Sequence, residues 1–458
     1  QTNNKVFGQV MPSPRVGFTW DVLKDKKIVV RGGSGLFTGR IPFAWLGYAF
    51  YNNGVNYGAF DDKTVAAGTH IPTDPTQFAA YNTNILHQPN RVEVDIVDKN
   101  FHLPQTWRSN LAVDFNLLGG YKLTLEGIYT KTIYDVMFKS VNLKDSVKYY
   151  AQDVNHVQPV YLSGGPTANR VDNNFSSAYM MTNTNQGYRY QLTAQLSKQY
   201  KCGINFMAAY TYGQSKDMSN GIRNSFESNW QLNQAANANN PQLAYSNFDV
   251  RNRIVATTGY RKKWNDRLTS YLSFVFTSQS GTPYTWDITA NNKLTNSGQQ
   301  VDVFYIPKVQ SDINLTTYTV NGTAYTAAQQ WNDLNNYINN DKYLSSHRGQ
   351  YTERNGARTP WINQLDMRFM QDIVIKGRNK FQVTFDIINL TNLINPNWGW
   401  QYFVPNTLNS SASIGLTPLG TTTNGNPNYT FSAPTTKPYS TDKIASRWQG
   451  QIGVRYLF

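Results

Sequence analysis

The chain has 458 residues, a formal net charge of +14, 40% hydrophobic and only 15% charged residues, with 14% aromatics. Low charge with many aromatics argues against disorder, and a mean hydropathy of −0.52 without a long apolar run excludes helical membrane spans. The single cysteine, Cys202, excludes a disulfide framework and any multi-thiolate metal site.

Helical periodicity is scarce along the chain, whereas strict apolar/polar alternation recurs, the mark of strands with one greasy and one polar face. Residues 10–20 and 27–38 form a first, glycine-interrupted pair. Residues 106–117 set Trp107, Leu111, Val113 and Phe115 against Arg108, Asn110, Asp114 and Asn116. After the turn 118–120, Leu123, Leu125 and Tyr129 alternate with Thr124, Glu126 and Thr130. Residues 186–198 oppose Tyr188, Tyr190 and Leu192 to Arg189, Gln191 and Thr193, and 203–214 continue beyond a short turn. Residues 249–260 and 267–280, then 361–372 and 379–391, repeat the arrangement, and 446–458 close the series.

The expectation is eleven long strands. Their connections alternate without exception between short (21–26, 118–120, 199–202, 261–266, 373–378) and long (39–105, 139–185, 215–248, 281–360, 392–445). Short turns at one end and long loops at the other predict an all-β, transmembrane antiparallel β-barrel with long extracellular loops. Soluble sandwiches use shorter strands, and no fixed repeat supports a propeller or solenoid. Aromatics near strand ends fit interfacial girdles: Trp20, Tyr200, Tyr260 and Trp264 at the short-turn end, Tyr212, Tyr284 and Trp361 at the other.

Single-chain bacterial barrels carry an even strand number, so eleven strands should not close alone. Residues 1–458 are therefore expected to be the C-terminal half of a barrel of 22 strands, with plug and N-terminal strands elsewhere; the alternative is one overlooked strand and a 12-stranded barrel. Gln1 occupies the place of an initiator Met, which fits a removed leader or a piece of a longer chain. The alternating end Ile452, Val454, Tyr456, Phe458 is similar to the assembly signal of outer-membrane proteins. It sets residue 458 on the periplasmic side and residue 1 on the extracellular side of a bacterial outer membrane.

Several stretches resemble TonB-dependent outer-membrane receptors of the Oar-like type, which carry a carboxypeptidase-like regulatory domain ahead of the plug. They include SPRVGFTWD (13–21), RGGSGLFTGRIPFAWL (31–46), NFHLPQTWRSNLAVDFNL (100–117), NFDVRNRIVATTGYR (247–261), QDIVIKGRNKFQVTFDIINLTNLINPNWG (371–399) and GQIGVRYLF (450–458). The resemblance covers only a barrel half; the family's N-terminal extension, TonB box and plug have no counterpart in these residues. It implies energised uptake of a bulky solute, with the plug part of the same protein and, through it, TonB–ExbB–ExbD as partners. Lipopolysaccharide, outer-membrane lipid and other surface proteins are further expected partners. The alternatives are a scaffold subunit of a larger outer-membrane complex and a passive porin or adhesin.

No catalytic motif is found. The run Gly32-Gly33-Ser34-Gly35 lacks the G-K-[ST] ending of a phosphate loop and fits strand bends or close backbone approach better. His70, His87, His102, His156 and His347 are scattered, so neither a metal nor a cofactor is expected. A sequence pI near 9.5 would suit nucleic acid, but basic residues cluster at the short turns, where anionic headgroups are the better partner. The inward-facing charges Arg108, Asp114, Glu126, Arg189, Arg251, Arg253, Asp366, Arg368 and Asp386 are expected to face the lumen, holding a plug or lining a substrate path. Loop aromatics Trp45, Tyr48, Tyr51, Tyr57, Trp398, Trp400 and Tyr402 are candidates for ligand contact, or for packing the loops together.

Overall fold

A computed structural model describes residues 6, 8–54, 74, 92–145, 148–150, 158–161, 168–219, 221, 223–289, 294–404, 410–423 and 426–458. Its largest sheet is a meander whose path visits eleven strands in chain order. They are β1 (Arg15–Asp21), β2 (Ile28–Thr38), β3 (Gln105–Asn116), β4 (Tyr121–Ser140), β5 (Tyr188–Gln199) and β6 (Ile204–Asp217), followed by β7 (Asn252–Lys263), β8 (Leu268–Gln279), β9 (Ile362–Lys376), β10 (Asn379–Ile388) and β11 (Gln449–Leu457). Every neighbouring pair on this path is antiparallel. Among the described residues β1 and β11 do not pair with each other, so the sheet is open.

Directly opposed residues share a face of the sheet. Phe18, Gly32, Leu111, Gly127, Leu192 and Tyr212 form one such row across six strands. Leu272, Phe369, Phe385 and Ile452 form another across four. These rows make one continuous apolar face, and its side chains have nothing covering them: Leu111 is 54% exposed, Leu192 56% and Ile452 74%. A soluble sheet would bury that face, so this exposure is what a lipid-facing wall requires. The opposite face carries the row Gly35, Arg108, Thr130, Arg189, Ser215.

The β2 glycines are strand residues, not a phosphate loop. A Cβ on Gly35 would lie 2.9 Å from the Pro14 carbonyl oxygen, and one on Gly32 would lie 2.8 Å from the Phe18 ring. Close approach of β1 therefore excludes side chains there. At the short-turn end, Lys198 caps the wall by resting its ammonium 4.0 Å from the Tyr121 ring centroid and 4.3 Å from that of Tyr200.

The described parts of the long connections are not extended loops. They build a cap with its own hydrophobic cores and with helices that periodicity did not reveal: α1 (Phe43–Tyr51), α2 (Phe226–Gln231), α3 (Ala327–Asn340), α4 (Lys342–Ser346) and α5 (Leu390–Ile394). α3 starts at a capping box in which Thr326 and Gln329 satisfy each other's backbone N–H groups. It buries Gln330, Leu334 and Ile338, a stripe only one residue wide per turn. One core joins the first three long connections through Trp45, Phe101, Phe138, Met181, Phe226 and Trp230. A second joins the last two, and Tyr150 of the second, through Trp286, Ile288, Phe304, Leu334, Ile414 and Phe431. The upper half of β4 leaves β5 and pairs with the strand Phe175–Thr184, which in turn pairs in parallel with Val92–Val97.

One expectation is corrected here. Tyr284 does not sit in an interfacial girdle: it is buried in the second cap core, packed edge-on against Trp286 at 5.8 Å. The strand that carries it, Pro283–Thr289, has left the wall and lies inside the cap.

The two faces should respond oppositely to charge. Leu125→Arg on the apolar face should destabilise the folded protein in lipid by about 2–4 kcal/mol. Gln195→Arg, on the polar face in the same row as Asp114, should cost far less. Urea titration in liposomes checks this, and equal costs would mean the faces are wrongly assigned.

Candidate functional site

The polar face of the wall and the mouth of the cap contain the sequence-predicted site charges, and the structure sorts them into paired and unpaired. Register brings Asp114 of β3 next to Arg31 of β2, whose Nε donates to its Oδ2 at 3.2 Å. Thr124 Oγ1 donates to Asp114 Oδ1 at 2.5 Å, and Lys122 lies 3.8 Å away. Arg31 also reaches Glu126 at 3.6 Å. Arg368 of β9 and Asp386 of β10 form a two-pronged ion pair, at 2.5 and 2.9 Å. Such pairs knit neighbouring strands on the wet face.

Asp366 and Arg251 are also engaged. Asp366 Oδ1 accepts the backbone N–H of Asn389 at 2.8 Å. Asn389 in turn adopts a left-handed conformation and donates its side-chain amide to Gly399 O and Ser446 O, tying β10 to the last long connection. Arg251 lies 3.4 Å from the buried carboxylate of Asp249 and stacks over the Tyr245 ring at 4.6 Å. Asp249 is shared with Arg358 and accepts the Ser215 N–H at 2.5 Å. These contacts hold the mouth of the wall together.

Arg108 and Arg189 are different. They stand in one row of the polar face with Thr130 between them. Arg189 Nε donates to Ser215 Oγ at 3.3 Å, and no described residue forms an ion pair with either guanidinium. Both line a cavity of about 470 Å³ between the wall and the cap segment that carries Ser246 and Phe248. Lys216 and Asp217 of β6 line it too; Lys216 is bridged to Glu353 at 2.7 Å and Asp217 to Arg354 at 2.5 Å. Arg253 also belongs to the polar face, opposite Thr211.

The loop aromatics divide. Trp45 is buried in the first cap core, edge-on to Phe138 at 5.2 Å, with its Nε1–H donated to Arg223 O at 2.7 Å. Its indole is therefore spent on packing, and Tyr48 packs against the same core. Tyr51, Trp398 and Trp400 are exposed. Tyr402 stacks edge-on between Trp400 and Tyr439. Tyr57 lies outside the described residues. At the chain end, Ile452, Val454, Tyr456 and Phe458 are all exposed on the apolar side, with Tyr456 against Phe381 at 5.1 Å.

Sequence reasoning missed a carboxylate clasp in the cap. Asn52, which ends α1, donates to Asp95 Oδ2 at 2.9 Å and to Glu93 Oε1 at 3.4 Å. Ser177 donates to Glu93 from the neighbouring strand at 3.4 Å, and Glu227 of α2 adds a third carboxylate nearby, held by Gln231 at 2.9 Å. Burial, with the Asp95 and Glu227 charges added, pushes Glu93 up to about 8. Burial also pushes Asp95 up to about 6, against the Asn52 hydrogen bond. The only legible hint was the spacing Glu93-x-Asp95, which puts both carboxyls on one face of a strand.

Among the described residues no three His, Cys, Asp or Glu side chains group as a metal site. His102 stacks on Tyr134 at 4.6 Å and His347 bonds the Tyr343 carbonyl at 2.8 Å; the other three histidines lie outside the described residues.

Comparison with known proteins decides the family. The outer membrane beta barrel domain model matches residues 8–430. The chain belongs to the outer membrane beta barrel domain family. It is a protein of the bacterial outer membrane. No curated protein matches it. Solved structures similar to it include the outer membrane transporter YddB from Escherichia coli, at 11% identity and a TM-score of 0.43, covering 97% of this chain and 40% of that one. The ferric enterobactin receptor PfeA from Pseudomonas aeruginosa matches at 8% identity and a TM-score of 0.37, covering 85% and 35%. The siderophore receptor PirA from Acinetobacter baumannii matches at 10% and 0.36, covering 83% and 37%. The chain thus spans well under half the length of these structures.

The clasp sets a pH dependence with a definite sign. Glu93 and Asp95 hold protons in the folded cap that they release when it opens, so the stabilisation is complete below the unfolded values of 4.5 and 3.8. It falls as pH rises, Asp95's share by about 6 and Glu93's by about 8. Hydrogen exchange of Val92–Val97 should therefore quicken between pH 5 and 8.5 beyond the intrinsic chemical rate. Glu93→Gln should remove most of that excess; an unchanged profile in the variant would show that the clasp does not govern the cap.

Proposed function

We propose that this chain is the C-terminal wall of a TonB-dependent outer-membrane transporter that imports a bulky solute. The observation that carries the reading is the two-sided meander. One face is apolar and uncovered, the other is charged, and both run unbroken from β1 to β11. A charged inner face belongs to a wet or plugged lumen, and the cap of folded long connections is suited to a mouth above it. The similarity of residues 371–399 and 450–458 to Oar-like receptors points to energised import within that frame.

In this reading the open edges of β1 and β11 pair with further strands of the same protein, completing a barrel of 22. Unpaired strand edges in hydrocarbon cost several kcal/mol for each backbone group, so some partner must cover them. The plug would sit in that barrel and carry the TonB box that engages TonB–ExbB–ExbD. The short turns, with their lysines and arginines, face the periplasm, and the cap faces outward, where lipopolysaccharide surrounds it. Arg31, Asp114, Glu126, Arg368 and Asp386 then line the lumen, and no catalysis is assigned.

The test is to purify the native protein from outer membranes, then measure its intact mass, N-terminal sequence and conductance in planar bilayers. The expected result is a plug segment and further strands in association with this chain, and a bilayer that stays closed. Steady open-pore conductance without a plug would favour a passive porin. A degenerate plug without a TonB box would favour a scaffold subunit.

A further inference from the structure

We propose that the cavity at Arg108 and Arg189 is a subsite for an anionic group, of the carboxylate or phosphate class, borne by the solute. The inference deepens the transporter reading and rests on it. The two guanidiniums stand two strands apart in one row, roughly 10 Å at the usual strand spacing. That gap is spanned by Thr130, whose hydroxyl adds a neutral donor at the midpoint. The cavity, at about 470 Å³, is of the size that holds a small-molecule group.

Charge accounting separates this site from the rest of the polar face. Arg31 is committed to carboxylates on β3 and β4, and Arg368 to one on β10. Asp217, the acid that could neutralise the cavity from β6, is committed to Arg354. Lys216 is committed to Glu353. What is left facing the space are two forked donors with fixed charge against one carboxylate, Asp135 of β4, whose Oδ1 accepts the Val136 N–H at 2.8 Å; the balance stays positive, and the two forks match planar carboxylate and phosphate oxygens. Phe37 and Phe248 line the same cavity, so the anion it takes carries an apolar or aromatic body.

The discriminating measurement is equilibrium binding of phenyl phosphate to the purified complete protein in detergent, with benzyl alcohol as the neutral control. Phenyl phosphate should bind saturably and benzyl alcohol should not. Arg108→Gln with Arg189→Gln together should weaken phenyl phosphate at least tenfold, and raising salt should weaken it in the wild type. Lys24→Gln in the first short turn should leave binding unchanged, and an unaltered melting profile shows that the double variant is folded. Equal binding of the alcohol, equal binding by the double variant, or no binding of phenyl phosphate to the complete protein would each overturn the proposal. Because no transport is read, this result stands or falls apart from the TonB-dependence of import.

Discussion

Everything in this chain follows from one constraint: in hydrocarbon a backbone N–H or C=O has no water to bond, so each must find a neighbouring strand. The eleven-strand meander meets that demand locally, because each of β2 to β10 pairs with the wall strand before and the wall strand after it. Once the ladder is set, side-chain parity is no longer free. A slip of β4 by one residue against β3 would turn Leu125 to the wet face and Glu126 to lipid. Register is therefore held by burial in lipid on one side and by ion pairs such as Arg368–Asp386 on the other.

That same locality explains what could be read from the residues. Period-two alternation is a property of ten consecutive residues, so the strands from Gln105 onward and the short turns between them were legible. Ion pairs were half legible. Asp114 and Glu126 are visibly polar-face residues, but their partner Arg31 lies far away in sequence and emerges only from the β2–β3 register. The cap was not legible. Its cores join Trp45 to Phe138 and Trp286 to Phe431 across long separations, with no fixed spacing. α3 was hidden because its buried stripe is Gln330, Leu334 and Ile338, too narrow to stand out as periodicity. Its capping box, Thr326 with Gln329, was the available signal.

Wall and cap are stabilised by different physics. In the wall, apolar side chains face lipid, so burial between protein atoms contributes little and the hydrogen-bonded ladder dominates. In the cap, Trp286, Phe304, Ile306 and Phe431 are removed from water much as in a soluble domain. One join between the two is made at β4, whose lower half pairs with β5 and whose upper half pairs with Phe175–Thr184. Phe175–Thr184 couples the membrane ladder to the carboxylate clasp, because it carries Ser177 against Glu93 on the next strand. A change in clasp protonation acts on the cap, and that strand and the packing of Phe226 on Phe138 of β4 both carry it to the wall.

The net positive charge divides in the same way. At the short turns, cations are tempered by aromatic rings, as with Lys198 over Tyr121 and Tyr200, or by local acids, as with Lys27 and Asp25 at 2.7 Å. On the lower polar face they are matched strand to strand. Beneath the cap, matching stops at Arg108 and Arg189, although Asp217 of β6 and Asp135 of β4 line the same cavity. Folding alone would favour closing those pairs too, since matched charges cost less than unmatched ones on a half-enclosed surface. Asp217 is instead turned to Arg354 in the cap, which ties the cap down and leaves the row below it positive. The arrangement that secures the mouth is thus the same one that leaves a field for an anion inside it.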